Sequence, residues 1–204
     1  VAVYAIDVSG HGVASAMMTA RLAGFLTGSS PDQNLAFQKG PDGCHVLLPP
    51  HEVADRFNRL MLEEIQAEQY FTMVFAVIDR AAGSLRLVQA GHPHPMLVRP
   101  SGQVVRLGDG GLPVGLLPDA PYDSCTVSIG PGDRLVLVSD GITECPRLSG
   151  DDFGEDGLAD SLTRSAQLSG TDLLEALVWD LGQAAGTLSF PDDVSGVVLD
   201  LLQD

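Results

Sequence analysis

The sequence predicts an α+β fold, on two observations. Residues 70–138 form a succession of short apolar runs separated by glycine, proline and aspartate turns, the pattern of strands joined as hairpins. Helical periodicity lies outside that stretch, over residues 12–26 and 50–66 before it and 158–167 and 171–185 after it. Hairpins and helices segregated in this way give α+β, whereas strict alternation would give a parallel α/β sheet.

In chain order, residues 1–6 are an apolar run that reads as a buried strand ending at Asp7, with Gly10 and Gly12 close behind. Residues 12–26 follow as a helix rich in small side chains, on which Val13, Met17, Ala20 and Gly24 form a stripe expected to pack closely on a sheet. Residues 29–50, punctuated by five prolines or glycines from Pro31 to Pro49 and by Pro50, read as a long loop in which His45 and His51 are surface histidines. A second helix opens at Pro50 or His51 and runs to about Gln66, with Val53, Phe57, Leu60, Met61 and Ile65 as its apolar stripe. The period then changes: residues 71–78 and 85–88 make a hairpin, and Asp79 caps its turn. Ala90 to Pro95 then breaks the second of these strands, and the two prolines around His92 and His94 disfavour a metal pair there. Residues 96–99 pair with 103–106 around Pro100-Ser101-Gly102. The glycine-rich segment 108–118 lacks the Gly-Lys-Ser/Thr ending and following helix of a phosphate loop. Strands at 125–129 and 135–139, a polar loop at 146–157, two helices and a last strand at 194–202 complete the chain. Thr171 or Ser169 is the expected cap of the final helix, with Leu174, Leu177, Val178 and Leu181 on its apolar face.

The bulk numbers exclude whole classes of function. A net charge of -16 and a pI of about 4.4 argue against nucleic-acid binding, which wants a basic face, and against anionic membrane surfaces. With 204 residues, 45% of them hydrophobic, the chain has room for a sizeable core and reads as one domain. No apolar run reaches the length of a membrane span, and no signal peptide is visible. Cys44, Cys125 and Cys145 are odd in number and unpaired in spacing, as expected of reduced thiols in a cytoplasmic protein.

Three carboxylate sites share one setting. Asp7 ends the first strand, Asp140-Gly141 ends the apolar run 135–139, and Asp192-Asp193 precedes the last strand. Oxygen ligands at strand mouths suit hard cations such as Mg²⁺ and Mn²⁺. Taken singly each has a plainer explanation. Asp7 or Ser9 could cap the helix that follows, Asp140 could be a turn residue, and Asp192-Asp193 could cap a strand.

Taken together the motifs carry more. Asp7-Val8-Ser9-Gly10-His11-Gly12, Ala90-Gly91-His92-Pro93, Gly111-Leu112-Pro113-Val114-Gly115, Ser139-Asp140-Gly141-Ile142-Thr143-Glu144 and Asp192-Asp193-Val194-Ser195 follow one another in that order. In this the chain resembles the metal-dependent protein serine/threonine phosphatases (the PPM, or type 2C, family) and within them the bacterial SpoIIE/RsbU-like, sigma-factor-regulating branch. The resemblance spans nearly all of residues 1–204. Members of that branch carry a Gly-Gly-Asp segment on a preceding strand, whereas this sequence begins at Val1 inside the strand of Asp7. The expectation is therefore one N-terminally incomplete phosphatase domain over 1–204, lacking the first hairpin and one outer metal-site acid.

The resemblance implies an α-β-β-α sandwich holding two Mg²⁺ or Mn²⁺ ions. Asp7 would bridge both ions, the Val8 carbonyl would touch the second, and Asp140 and Asp192 would complete the first, with Asp193 the alternative to its neighbour. It implies hydrolysis of phosphoserine or phosphothreonine by a metal-bridged water, on a regulatory protein of the anti-sigma-factor-antagonist type. It is also compatible with a homodimer and an attached sensor or receiver domain. Animal-type members place a histidine two residues after the bridging aspartate. Here that place is Ser9 and His11 lies four residues on, so an acid role does not transfer and the leaving serine takes its proton from water. The alternative is a pseudo-phosphatase that binds a partner without turnover, favoured only by the missing Gly-Gly-Asp segment.

Overall fold

The computed structural model describes residues 1–28, 30–65 and 69–202. Its elements in chain order are β1 (Ala2–Val8), α1 (Val13–Thr27), β2 (Phe37–Lys39), β3 (His45–Leu47), α2 (Pro50–Arg59), β4 (Phe71–Asp79), β5 (Ser84–Ala90), β6 (Met96–Val98) and β7 (Val104–Arg106). They continue as β8 (Ser124–Ser128), β9 (Arg134–Val138), α3 (Asp140–Thr143), α4 (Gly154–Arg164), α5 (Gly170–Ala185) and β10 (Gly196–Asp200). All strand pairing for which a register is defined is antiparallel and the helices are segregated from it, so the fold is α+β as expected. The chain divides into two compact units, Val1–His92 with Asp109–Val127, and Pro93–Gly108 with Ser128–Asp204. None of the described helices is long and apolar enough to cross a membrane.

The first unit is built on the sheet β1-β4-β5-β8. β4 reads as an almost unbroken apolar run because both its faces are buried. Phe71, Met73, Phe75 and Val77 share a core with Leu22 and Leu26 of α1 and Val53 and Phe57 of α2. The Phe57 ring meets Phe71 edge to face, centroids 5.7 Å apart at 85°, and Phe25 at 6.5 Å and 74°. Asp79 caps the β4–β5 turn as expected, its carboxylate accepting from the Ala82 amide at 2.9 Å.

Two expectations fail here. The stripe Val13, Met17, Ala20 and Gly24 faces outward, with Val13 76% and Met17 69% exposed. Ser15, Met18, Leu22 and Leu26 are buried instead. α1 is apolar nearly all round, so two stripes compete, and the one carrying two leucines removes more apolar area from water. Residues 29–50 are not merely a loop: β2 and β3 pair as a ribbon around Gly40-Pro41-Asp42-Gly43, with the Asp42 carboxylate accepting from the Cys44 amide at 3.0 Å. The stripe of the second helix is buried as expected at Val53, Phe57, Leu60 and Met61. Its continuation, Leu60–Ile65, is a π-helical turn, and Gln66 lies outside the described residues.

The second unit is built on the sheet β10-β9-β6-β7, whose inner face packs Met96, Val136 and Val138 with Leu158 and Leu162 of α4 and Leu177 and Leu181 of α5. α4 begins four residues before the expected Leu158, where Glu155 and Asp156 favour a helix N-terminus. The expected cap of α5 by Ser169 or Thr171 is not made. The Gly170 amide donates instead to the carboxylate of Asp200 on β10, at 3.1 Å. Leu173, not Leu174, lies on the buried face of α5, and Val178 is exposed. The last strand is shorter than the expected 194–202 and Arg134 pairs with Asp200 at its end. Cys44, Cys125 and Cys145 form no disulfide and are exposed, half-buried and buried in turn.

Candidate metal-binding residues

In the first unit, Asp7 is the penultimate residue of β1, directly opposite Thr72, and Val8 is buried opposite Phe71. The pairing runs one step past the strand: the Ser9 amide donates to Tyr70 O at 2.9 Å and the Tyr70 amide donates to Ser9 Oγ at 3.0 Å. The turn into α1 needs positive φ at Gly10 (85°) and Gly12 (89°), a region that L side chains rarely adopt. Buried Ser15 reaches back from the first turn of α1, its hydroxyl donating to Ser9 O at 3.3 Å and accepting from Gln69 Nε2 at 3.0 Å. Gly12 itself is the N-cap and no side chain caps α1, so neither Asp7 nor Ser9 serves as the helix cap that the sequence allowed. His11 is exposed.

The two glycine motifs of this unit form the structure beside Thr72. Met73 bridges to Gly91, and Phe71 exchanges two backbone hydrogen bonds with Val114, at 2.8 and 3.0 Å. A Cβ on Gly91 would stand 2.7 Å from the Pro113 ring. Buried Gln89 ties the two segments together, donating to His92 O at 2.7 Å and accepting from the Gly110 amide at 2.8 Å. His92, 5% exposed, is hydrogen-bonded through Nδ1 to Thr72 Oγ1 at 2.9 Å. His94, in the second unit, spends its ring on Leu107 O at 3.0 Å and lies 3.9 Å from Glu155. The two histidines of this segment thus make separate hydrogen bonds.

In the second unit, Asp140 opens the single turn of α3, and Gly141 is pressed against the Asp192-Asp193 segment. A Cβ on Gly141 would stand 2.3 Å from Asp193 O and 3.5 Å from the Asp192 carbonyl carbon. Ser139 fastens the same contact: its hydroxyl donates to Asp193 O at 3.0 Å and accepts from the Ser195 amide at 3.0 Å, while its own amide donates to Ser195 O at 3.0 Å. Asp140 and the Asp192-Asp193 pair are therefore brought together within this unit. The Asp193 amide donates to Asp192 Oδ1 at 2.7 Å, which orients the Asp192 carboxylate.

Two further acids belong to this group and carried no role in the sequence analysis. Burial pushes the Glu144 carboxyl above its ordinary range, and the negative charges of Asp140, Asp152 and Asp192 push it the same way. Glu144 follows Asp140 by one helical turn, a spacing visible in the sequence, whereas Asp152 arrives through its bridge to Pro146. The candidate donors are carboxylates, which fits Mg²⁺ or Mn²⁺ better than Zn²⁺, and the repulsion felt by Glu144 is what a cation would relieve. Among the described residues of either unit, no three His, Cys, Asp or Glu side chains already stand in ligand geometry.

The fold defined by these elements is that of PP2C-type phosphatase domains. The chain superimposes on the SiaA-PP2C domain of Pseudomonas aeruginosa with a TM-score of 0.72 at 20% identity, covering 98% of this chain and 79% of that one. The family model for Stage II sporulation protein E (SpoIIE) matches residues 1–202, and the chain belongs to that family. Relatives include the phosphoserine phosphatase RsbP of Bacillus subtilis, 27% identical over 140 residues, covering 68% of this chain and 32% of RsbP. They also include protein IcfG of Synechocystis sp., 29% identical over 124 residues, covering 60% of this chain and 19% of IcfG. The chain thus spans a third or less of the length of these curated relatives.

Proposed function

We propose that the chain is a Mg²⁺- or Mn²⁺-dependent protein serine/threonine phosphatase. Its ligands would be Asp7, the Val8 carbonyl, Asp140 and Asp192, with Asp193 the alternative to Asp192. The observation that carries the reading is the fastening of Asp140 to Asp192-Asp193 across a glycine that leaves no room for a side chain. Backbone packed this closely sets Asp140 beside Asp192 and Asp193, and a bound cation would favour carboxylates gathered in this way. Bound divalent ions supply the charge that offsets a phosphate dianion and acidifies water for in-line attack. The chain's own part is positional. The β1–β4 ladder fixes Asp7 and the buried Val8 at the end of β1, and the Ser139 hydrogen bonds hold the Asp192-Asp193 backbone against α3.

The substrate proposed is a phosphorylated regulatory protein of the anti-sigma-factor-antagonist type, in the cytoplasm, with control by an attached sensor or receiver domain or a homodimer. RsbP, named a phosphoserine phosphatase, supports the phosphoserine class. The test is release of phosphate from p-nitrophenyl phosphate and from phosphoserine proteins as Mn²⁺ is titrated. Turnover that requires Mn²⁺ and disappears in Asp140→Asn is expected. Absence of turnover by the intact protein, with a partner still bound, would replace the reading with the pseudo-phosphatase.

A further inference from the structure

Thr72 and Asp7 are direct partners in the antiparallel β1–β4 ladder. Residues so paired project from the same face of a sheet with Cβ atoms about 4.5–5.5 Å apart, within reach of a short hydroxyl and a carboxylate. Behind Thr72 stands His92, with Nδ1 2.9 Å from Thr72 Oγ1. His92 is buried, and its backbone is fixed by the Gln89 amide on its carbonyl, while Gly91 before it is held by the bridge to Met73 and the press of Pro113. Gly91 has a φ of 71°, so this turn resists replacement by residues with a side chain. A threonine hydroxyl has one proton and two lone pairs. When a neighbouring N–H fills a lone pair, the hydroxyl proton is left to donate elsewhere.

We propose that His92 is a positioning residue that acts through Thr72 on Asp7: Nδ1–H donates to Thr72 Oγ1, which turns the Thr72 O–H toward the Asp7 carboxylate and fixes its orientation for a cation. The inference rests on the reading of Asp7 as a metal ligand. It gives the Ala90-Gly91-His92 motif a task, although His92 never touches metal or substrate. Groups that orient a ligand from behind typically change metal affinity about 10–100-fold when removed.

The experiment is calorimetric titration of Mn²⁺ into the metal-free intact protein, with melting temperature measured in chelator and the ¹⁵N shift of His92 by NMR. Thr72→Val keeps the branched shape and removes the hydroxyl; Thr72→Ser keeps the hydroxyl. His92→Asn offers an amide where Nδ1 stood; His92→Leu offers nothing. Thr72→Val and His92→Leu are expected to weaken Mn²⁺ binding at least about tenfold. Thr72→Ser and His92→Asn should stay within about threefold of wild type, and the double variant Thr72→Val/His92→Leu should be no weaker than either single one. The ¹⁵N shift should report a protonated Nδ1. Wild-type affinity in Thr72→Val, while Asp7→Asn loses Mn²⁺, overturns this inference and leaves the metal reading standing. Mn²⁺ binding unchanged in Asp7→Asn overturns both. Loss of affinity that Thr72→Ser does not restore, accompanied by a lower melting temperature in chelator, assigns Thr72 and His92 to packing alone and also overturns it.

Discussion

Gly141 and Asp193 touch through backbone alone: a Cβ on the glycine would lie 2.3 Å from the carbonyl oxygen of the aspartate. Main-chain atoms on both sides cannot rotate away as a flexible side chain would. Gly141→Ala is therefore expected to displace the Asp192-Asp193 segment from α3. The expected result is a stability loss of about 1–3 kcal/mol from overpacking, together with a larger loss of Mn²⁺-dependent turnover. A melting curve and a Mn²⁺ activation curve on the same sample check both.

Asp7→Asn and Asp140→Asn are expected to reduce turnover at least about 100-fold while the fold persists. In wild type, Mn²⁺ should raise the melting temperature, because an ion that binds only the folded chain stabilises it by mass action. In either variant that increase should shrink or vanish. Far-UV circular dichroism with melting curves at increasing Mn²⁺ provides the check, and a wild-type response in Asp140→Asn would remove it from the ligand set.

A pH effect is expected away from the metal residues, where α4 and α5 are joined. Burial works to raise the pKa of Asp180. The hydroxyl of fully buried Ser161 and the Arg164 guanidinium, each 2.7 Å from Asp180 Oδ2, outweigh it and hold the carboxyl below its ordinary range. A lowered folded pKa means that the unfolded chain takes up the proton first. The contribution is present above the unfolded value of 3.8 and is lost as pH falls through the lower folded value. Ser161→Ala should cost about 1–2 kcal/mol near neutral pH and much less once Asp180 is protonated. Denaturant unfolding of wild type and variant across the acid range measures the difference.

Phe57→Ala is expected to act on stability, costing about 3–5 kcal/mol. Its ring is fully buried and packs edge-on against Phe71, the residue opposite Val8. A retained Mn²⁺ affinity with a lowered melting temperature is the expected pattern. A shift in Mn²⁺ dependence with no change in melting temperature would instead give α2 a control function.

The sequence displayed much of what depends on neighbours along the chain, although the local β2–β3 ribbon was hidden among its turn residues. The β4–β5 hairpin, the Asp79 turn and the buried stripe Val53-Phe57-Leu60-Met61 follow from local periodicity and turn chemistry. The adjacency of Asp140 and Asp192-Asp193 was visible only as two similar motifs, and what locks them, Gly141 and Ser139, was not read. Features fixed by distant residues were invisible. Asp200 caps α5 from 30 residues away, and Ser124 accepts from the His51 amide in the first turn of α2 from 73 residues away. The choice between the two stripes of α1 was also tertiary, because its composition offers apolar residues on every side. Thr72 was unremarkable until the register placed it opposite Asp7.

The interleaving of the two units has a consequence for biosynthesis. Neither unit is a continuous stretch: residues 93–108 and 109–127 each belong with partners on the far side of the other. As the chain leaves the ribosome, β6 and β7 can close on each other at once, but β6 must wait for β9, and β9 for β10, whose last residue is Asp200. At roughly 5–20 residues per second, the apolar edge of that nascent hairpin stays unpaired for seconds. Strands as short as Met96–Val98 limit what such an edge can recruit during the delay. A gene cut between the motifs would therefore yield fragments with open edges rather than two working halves.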